Sequence, residues 1–387
     1  MKEEKKDKPL RIMHIIYGLD AGGIETMVIN IFKNIDRNKV SFDFLVTCNS
    51  SVEQFYDKKV KELGGRIFKV GDSTNNKILR YFKNRLGIYK CIKNNKYDIV
   101  HIQNGQIDKL IDVICCKLLG VKNIIVHAHN DGLNRSAKFY RFRVFMHNLL
   151  KPLFNVFATD FFTCSELAAK WSYSNSIINK NKIKLVRNGV NCEDFSYNEF
   201  IREEYRKKLG LTDEVLIGHV GRFNTQKNHE YLIKIFEEVI KINKKSKLLL
   251  IGNGELYDQI NTSIRENGLE DNVFIIKKSN EINCWMQAMD VFVLPSIHEG
   301  LPVVGIEAQA ASLPLIVSDT VTKELDITSN VIYLSINQNP KVWANKILEV
   351  ACYSKRKDTT KKIRKNLYDI KNTAQNLQDF YIEKARG

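Results

Sequence analysis

The chain of 387 residues is too long for one ordinary core and suits two domains of roughly 150–200 residues. Its 44% apolar and 27% charged residues are those of a folded globular protein, which excludes a disordered polymer. The formal charge of +16, from 60 Lys and Arg against 44 Asp and Glu, suits nucleic acid, anionic lipid or phosphorylated substrates; part of it follows a Lys-, Asn- and Ile-rich composition.

The amino-terminal run MKEEKKDKPLRIMHIIYG has charges but no apolar stretch followed by a small-residue cleavage site, so no secretion signal is expected. Its apolar part, Leu10–Tyr17, reads as a buried strand. A glycine loop follows, then a helix over Ile24–Asn34 with Ile24, Met27, Val28 and Ile31 on one face. Strands are expected at Ser41–Cys48, Arg66–Val70, Asp98–Gln103, Asn123–His129 and Asp160–Cys164, with helical windows between them. The longest apolar stretch, Leu149 to Cys164, is broken by Lys151, Pro152, Asn155 and Asp160, short of the roughly 18–20 residues a membrane span needs.

The alternation then restarts at Glu214–Phe223, Lys247–Gly252, Asn272–Lys277, Asp290–Pro295 and Pro314–Ser318. Its clearest helix is Asn228–Asn243, with Leu232, Ile235, Phe236, Val239 and Ile242 at helical spacing. Two successive βα arrays predict two Rossmann-like domains, each a parallel sheet covered on both faces, facing each other across a cleft. The boundary is expected near the Asn188-Gly189 turn, giving domains over residues 1–187 and 188–365. The charged tail, residues 366–387, is expected to be a helix packing back toward the first domain. Eight scattered cysteines form no CxxC pair or zinc-like spacing and read as buried thiols of a reducing compartment, the cytoplasm. No helix-turn-helix, zinc-finger or RNP-like signature accompanies the charge, so nucleic acid is not an expected partner.

Ligands of open α/β sheets sit beyond the carboxyl ends of the strands, and three loops there carry chemistry. In Gly18-Leu-Asp-Ala-Gly22-Gly23-Ile-Glu25, paired glycines let a ligand approach the backbone at a helix N-terminus, where a diphosphate fits. The spacing is not the dinucleotide GxGxxG. In Gly221-Arg222-Phe-Asn-Thr-Gln-Lys227, a guanidinium fork and an ammonium point charge share one loop. In Pro295-Ser-Ile-His298-Glu299-Gly-Leu301-Pro302-Val303-Val-Gly-Ile-Glu307, Pro302 suits the first position of a helix. Glu299 then lies in the loop and Glu307 more than one turn inside, roughly 7–8 Å along. His298 is expected to pack, with donor tuning as its alternative. No Asp-x-Asp occurs, so a metal bridge to a diphosphate has no obvious ligand set.

With these motifs the chain resembles glycosyltransferase family 4, retaining transferases of the GT-B fold, and bacterial capsule and exopolysaccharide enzymes in particular. The resemblance also rests on His127-Ala-His129-Asn130, Cys164-Ser165, Asn188-Gly189, Met289-Asp-Val-Phe-Val-Leu-Pro-Ser296 and Ser318-Asp-Thr320. It implies a nucleotide-sugar donor, UDP foremost, and a saccharide acceptor. Gly23 would give its amide to the β-phosphate, with Gly22 clearing space; Arg222 and Lys227 would hold the diphosphate. Glu299 would contact the transferred sugar, Glu307 the ribose, and the backbone at Leu301–Val303 the phosphates. His129 would lie near the reacting centre, with His127 its same-parity neighbour on the strand. No cofactor or metal is implied, and the leaving phosphate would assist same-face attack. An epimerase of the same fold, a transferase with a soluble acceptor and a catalytically silent binding subunit stay open as alternatives.

Arg135, Lys138, Arg141, Arg143 and Lys151 interleave with Phe139, Tyr140, Phe142, Val144, Phe145, Met146 and Leu149. A basic, aromatic, amphipathic helix there suits an anionic membrane surface at the inner face and an acceptor on a polyprenyl diphosphate. The other reading is a helix whose apolar face belongs to the core.

Overall fold

The computed structural model describes residues 8–20, 22–48, 53–71, 76–130, 132, 139–180, 182–353 and 356–386. The chain divides into two compact units, one of residues 1–189 with 370–387 and one of residues 190–369.

The first unit is a seven-stranded parallel sheet of β1 (Leu10–Ile16), β2 (Val40–Val46), β3 (Ile67–Lys69), β4 (Ile99–Ile102), β5 (Asn123–Ala128), β6 (Asp160–Thr163) and β7 (Ile183–Leu185). Spatial order is β3-β2-β1-β4-β5-β6-β7. Central strands bury both faces, which is why they read as continuous apolar runs. Met13, Ile15, Val100, Ile102, Ile124 and Val126 face one core. Ile12, Ile16, Ile99 and Ile125 face the other, under the carboxyl-terminal helix Ile370–Arg386. That helix sends Ile370, Ala374, Leu377, Phe380 and Tyr381 into the sheet's core and packs beside the helix Gly23–Asn34. Burying each of Ile370, Leu377 and Phe380 contributes about 1.5–3 kcal/mol, which ties the end of the chain to its first domain.

The same face holds a row of imidazoles. His14 of β1 pairs in register with His101 of β4, and His127 lies two residues beyond Ile125, His101's partner on β5. Ring centroids run 5.0 Å from His14 to His101, 5.3 Å on to His127 and 4.0 Å on to His129. The Tyr381 hydroxyl meets His101 Nδ1 at 2.6 Å.

The second unit has six parallel strands: β8 (Leu216–Val220), β9 (Lys247–Ile251), β10 (Val273–Ile276), β11 (Val291–Leu294), β12 (Leu315–Ser318) and β13 (Val331–Leu334). Their order is β10-β9-β8-β11-β12-β13. β7 and β13 are edge strands absent from the sequence expectation. No helix among the described residues is long and apolar enough to cross a membrane.

Candidate active site

In the second unit the chain leaves β8 toward β9 on one side and leaves β11 toward β12 on the other, so β8 and β11 flank the point where strand order reverses. Ligands of open α/β sheets bind beyond the carboxyl ends of the strands at such a reversal. The loop after β8 holds Arg222 and Lys227; the loop after β11 holds Glu299.

These loops are laced together. Ile297 N–H donates to the Gln226 carbonyl at 2.8 Å, and Gln226 Nε2 donates to the His298 carbonyl at 3.0 Å. Asn228, in the left-handed region at φ 57°, turns the chain into the helix His229–Ile242 and donates from Nδ2 to the Pro295 carbonyl at 3.1 Å. The lacing brings Lys227 Nζ to 2.6 Å from Glu299 Oε1, with side chains only 15% and 10% exposed. Ser296 Oγ donates to the same carboxylate oxygen at 3.1 Å. An ammonium has three N–H donors, so Lys227 can keep Glu299 and still take a phosphate oxygen.

The helix Val303–Ala310 begins one residue later than expected, with Pro302 as its N-cap at φ −71°, ψ 115°. Glu307 is therefore one turn in, about 6 Å along the axis rather than the expected 7–8 Å. The amides of Val303 and Val304 open the helix and have no partner within it. Glu307 is half-buried, and burial raises its carboxyl to about 7. It can accept two hydroxyl protons when ionised, and near neutral pH it is balanced between forms.

Arg222 is exposed and pairs through Nε with Glu255 at 3.2 Å, not with Glu299. Glu255 lies on the loop Gly252-Asn-Gly-Glu255 after β9, which the sequence reading left without a role. Gly252 has φ +149°, and a Cβ there would stand 2.0 Å from the Gly221 carbonyl oxygen. The two loops thus touch backbone to backbone, and Phe223 N–H donates to the Asn253 carbonyl at 3.0 Å. A Gly-x-Gly directly after a strand was the available signal. His298 is exposed, so the expectation that it packs is wrong: the Gln226 bond uses its carbonyl and leaves the ring outward.

In the first unit, β1 and β4 flank the corresponding reversal, and the glycine loop follows β1. Gly22 is the N-cap of Gly23–Asn34. A Cβ on Gly22 would stand 2.2 Å from Glu25 Oε2, the tip of a flexible side chain that lies over the space beside Gly22. Gly23 is exposed, with open space where its Cβ would lie. His129 and His127, which the sequence could not separate, part company: His127 is fully buried in the imidazole row, whereas His129 is half-buried beyond the end of β5. His129 Nε2 meets Gln103 Oε1 at 2.9 Å, and burial lowers its pKa to about 3, so the ring is neutral at pH 7.

Arg135 and Lys138 lie outside the described residues. Arg141 and Arg143 are exposed on the helix Tyr140–Leu150, whose Phe142, Phe145 and Leu149 are 62%, 61% and 58% exposed. Only His147 of that helix is buried, so the core-facing reading of its aromatic residues is overturned.

Comparison with known proteins decides the family. Residues 21–194 match the profile described as Glycosyltransferase Family 4, and residues 201–366 match Glycosyl transferases group 1. The putative glycosyltransferase EpsF of Bacillus subtilis is 32% identical over 347 residues, 88% of each chain. The chain belongs to glycosyltransferase family 4. Among other relatives of this family 4 glycosyltransferase, the capsular polysaccharide biosynthesis glycosyltransferase CapH of Staphylococcus aureus is 24% identical over 381 residues, covering 97% of this chain and 99% of CapH. The UDP-Gal:alpha-D-GlcNAc-diphosphoundecaprenol alpha-1,3-galactosyltransferase of Escherichia coli is 26% identical over 396 residues, 97% of each. HepE of Anabaena, solved with UDP and glucose, superposes with a TM-score of 0.75 at 15% identity, covering 96% of this chain and 99% of that one. That likeness places the family 4 enzyme in the GT-B fold. The epimerase alternative finds no support among these relatives.

Proposed function

We propose that this glycosyltransferase moves a sugar from a nucleotide-sugar, UDP-linked foremost, to a saccharide carried on a polyprenyl diphosphate, in capsule or exopolysaccharide synthesis. The observation that carries this reading is the Lys227–Glu299 pair at the strand-order reversal of the second unit. It sets a cation for the leaving diphosphate beside a carboxylate for the sugar. Arg222 and the backbone amides of Leu301, before the cap, and of Val303, at the helix start, add neutralisation that a metal supplies elsewhere, so transfer is proposed to need no metal. Gly23 is proposed to offer its amide to a phosphate oxygen, Glu307 to hold the ribose hydroxyls, and His129 to lie beside the transferred sugar. The sugar–phosphate bond breaks as the acceptor oxygen bonds the same face of the anomeric carbon. The acceptor's proton passes to the departing phosphate, giving retention.

The E. coli relative's printed substrates, a UDP-galactose donor and a diphosphoundecaprenol-linked acceptor, favour this pairing. HepE was solved with UDP and with UDP-glucose. A second observation bears on location: Phe142, Phe145 and Leu149 stand exposed among Arg141 and Arg143, and Leu79, Phe82 and Leu86 are exposed on the helix Lys77–Asn95. Such faces suit the anionic inner surface of a cytoplasmic membrane. Two experiments test the proposal. Labelled sugar should enter the organic phase with a polyprenyl-diphosphate saccharide and not with the free saccharide; equal transfer to both refutes the lipid acceptor. Wild type should float with anionic liposomes and an Arg141→Glu/Arg143→Glu variant should not; equal flotation refutes the membrane face.

A further inference from the structure

The imidazole row ends on a connection that none of the roles above uses. Gln103, at the carboxyl end of β4, is buried, and its backbone N–H is tied to the Ile15 carbonyl at 3.0 Å. Its side-chain amide lies between two histidines: Nε2 is 2.9 Å from His14 Nδ1, and Oε1 is 2.9 Å from His129 Nε2. A primary amide donates only from nitrogen and accepts only at oxygen. His14 Nδ1 must therefore carry the lone pair, with its proton on Nε2. His129 must carry its proton on Nε2, which leaves Nδ1 as the acceptor. Turning the amide over would move both protons to Nδ1, so the two tautomers are coupled through one side chain.

Nothing else among the described residues competes for those nitrogens. His14 Nε2 and His129 Nδ1 are buried without a hydrogen-bond partner. His101 Nδ1 is taken by Tyr381, and neither His127 nitrogen has a partner. The His14 ring is wedged against Phe42 at 4.2 Å and His101 at 5.0 Å, and His129 lies against His127 at 4.0 Å. Burial keeps His14 and His129 neutral, as a tautomer relay requires.

We infer that Gln103 is a positioning residue for sugar transfer: it holds the ring orientation of His129 and locks its tautomer to that of His14 through one amide relay. The catalytic consequence rests on the proposed place of His129 beside the transferred sugar; the relay itself does not. With its Nε2–H spent on Gln103 and its Nδ1 buried as a lone pair, His129 has no N–H left to donate, and the relay sets where its ring stands.

The test uses full-length protein carrying ring-15N histidine. Long-range 1H–15N spectra separate the tautomers, with His14 and His129 assigned by single substitution. In wild type both protons should sit on like nitrogens, Nε2 in each ring with the amide as placed. In Gln103→Glu the side chain can only accept, so His14 should move its proton to Nδ1 while His129 keeps Nε2–H. Gln103→Leu should mix the tautomers of His129 and lower kcat about tenfold or more, with the donor KM within about twofold. Combined with His129→Gln, it should slow the enzyme no further than His129→Gln alone. Protons on unlike nitrogens in wild-type His14 and His129 would overturn the relay, and this reading stands even where a variant fails to fold. Dispersed His129 tautomers in Gln103→Leu with unchanged kcat would overturn the positioning role. Full activity of His129→Gln would refute instead the placement of His129 by the sugar, leaving the spectra to judge the relay.

Discussion

Given the ribose contact proposed for Glu307, a carboxyl raised to about 7 would make donor binding a titration. Ionised, the side chain accepts from ribose hydroxyls; protonated, it loses one acceptor. Nucleotide affinity should therefore fall as pH drops through 7, approaching about tenfold per unit below it, with a proton released on binding. Calorimetry at pH 6 and pH 8 in two buffers of different ionisation enthalpy measures both, and Glu307→Gln should flatten the dependence. Equal affinity at the two pH values would contradict the assignment. For the unliganded fold the sign is opposite: the raised carboxyl favours the folded state at low pH, and that contribution is lost as pH rises through 7. Glu299 and Glu307 were legible because a strand end, a Gly-Leu-Pro turn and a helix start are all written locally. The partner of Glu299 was not legible as a partner: Lys227 lies on another loop, and only strand order brings them to 2.6 Å.

At the scale of elements, the carboxyl-terminal helix is the lid of the first unit's second core. Its charge and period were visible in the sequence, but what its inward face meets was not. Tyr381 is fully buried and spends its hydroxyl on His101 Nδ1. Tyr381→Phe keeps the ring and strands that nitrogen, so stability should fall by about 1–3 kcal/mol, read as a lower urea midpoint with unchanged slope. An unchanged midpoint would show that the bond contributes nothing. Nine of the eleven strands read from sequence are central ones, legible because parallel strands buried on both faces must be continuous in Val, Ile, Leu and Phe, and the edge strands β3 and β10 were read from their short apolar runs alone. β7, Ile183-Lys-Leu185, escaped because an edge strand of three residues with two exposed carries almost no such signal. β13, Val331-Ile-Tyr-Leu334, did carry an apolar run but is only partly buried, at the opposite edge of its sheet.

For the whole molecule, histidines are divided unevenly. The first unit contains His14, His101, His127, His129 and His147 with pKa values lowered chiefly by burial, and the second contains two so lowered, His219 and His229. An unfolded histidine takes a proton near pH 6.5, which these folded ones refuse. Their contribution is thus whole above 6.5 and is lost as pH falls toward the lowered values, at up to about 1.4 kcal/mol per unit for each ring. Hydrogen exchange at pH 5 should show β1, β4 and β5 losing protection before β8 and β11; simultaneous loss would contradict the uneven division. Two βα arrays and the Asn188-Gly189 turn made the two-part plan readable from sequence. The division itself falls after Gly189 and returns at Ile370, which no local motif announces, because a helix changes units there through its buried face.

The measurement closest to the central claim is nucleotide release from a panel of UDP-, GDP- and ADP-sugars in EDTA, with a polyprenyl-diphosphate saccharide present, for wild type and Glu299→Gln in parallel. The predicted result is release from one UDP-sugar by wild type and its loss, by about a hundredfold or more, in the variant. Release that requires a restored divalent metal, or that Glu299→Gln matches, would contradict the assignment of diphosphate neutralisation and sugar contact to Lys227 and Glu299.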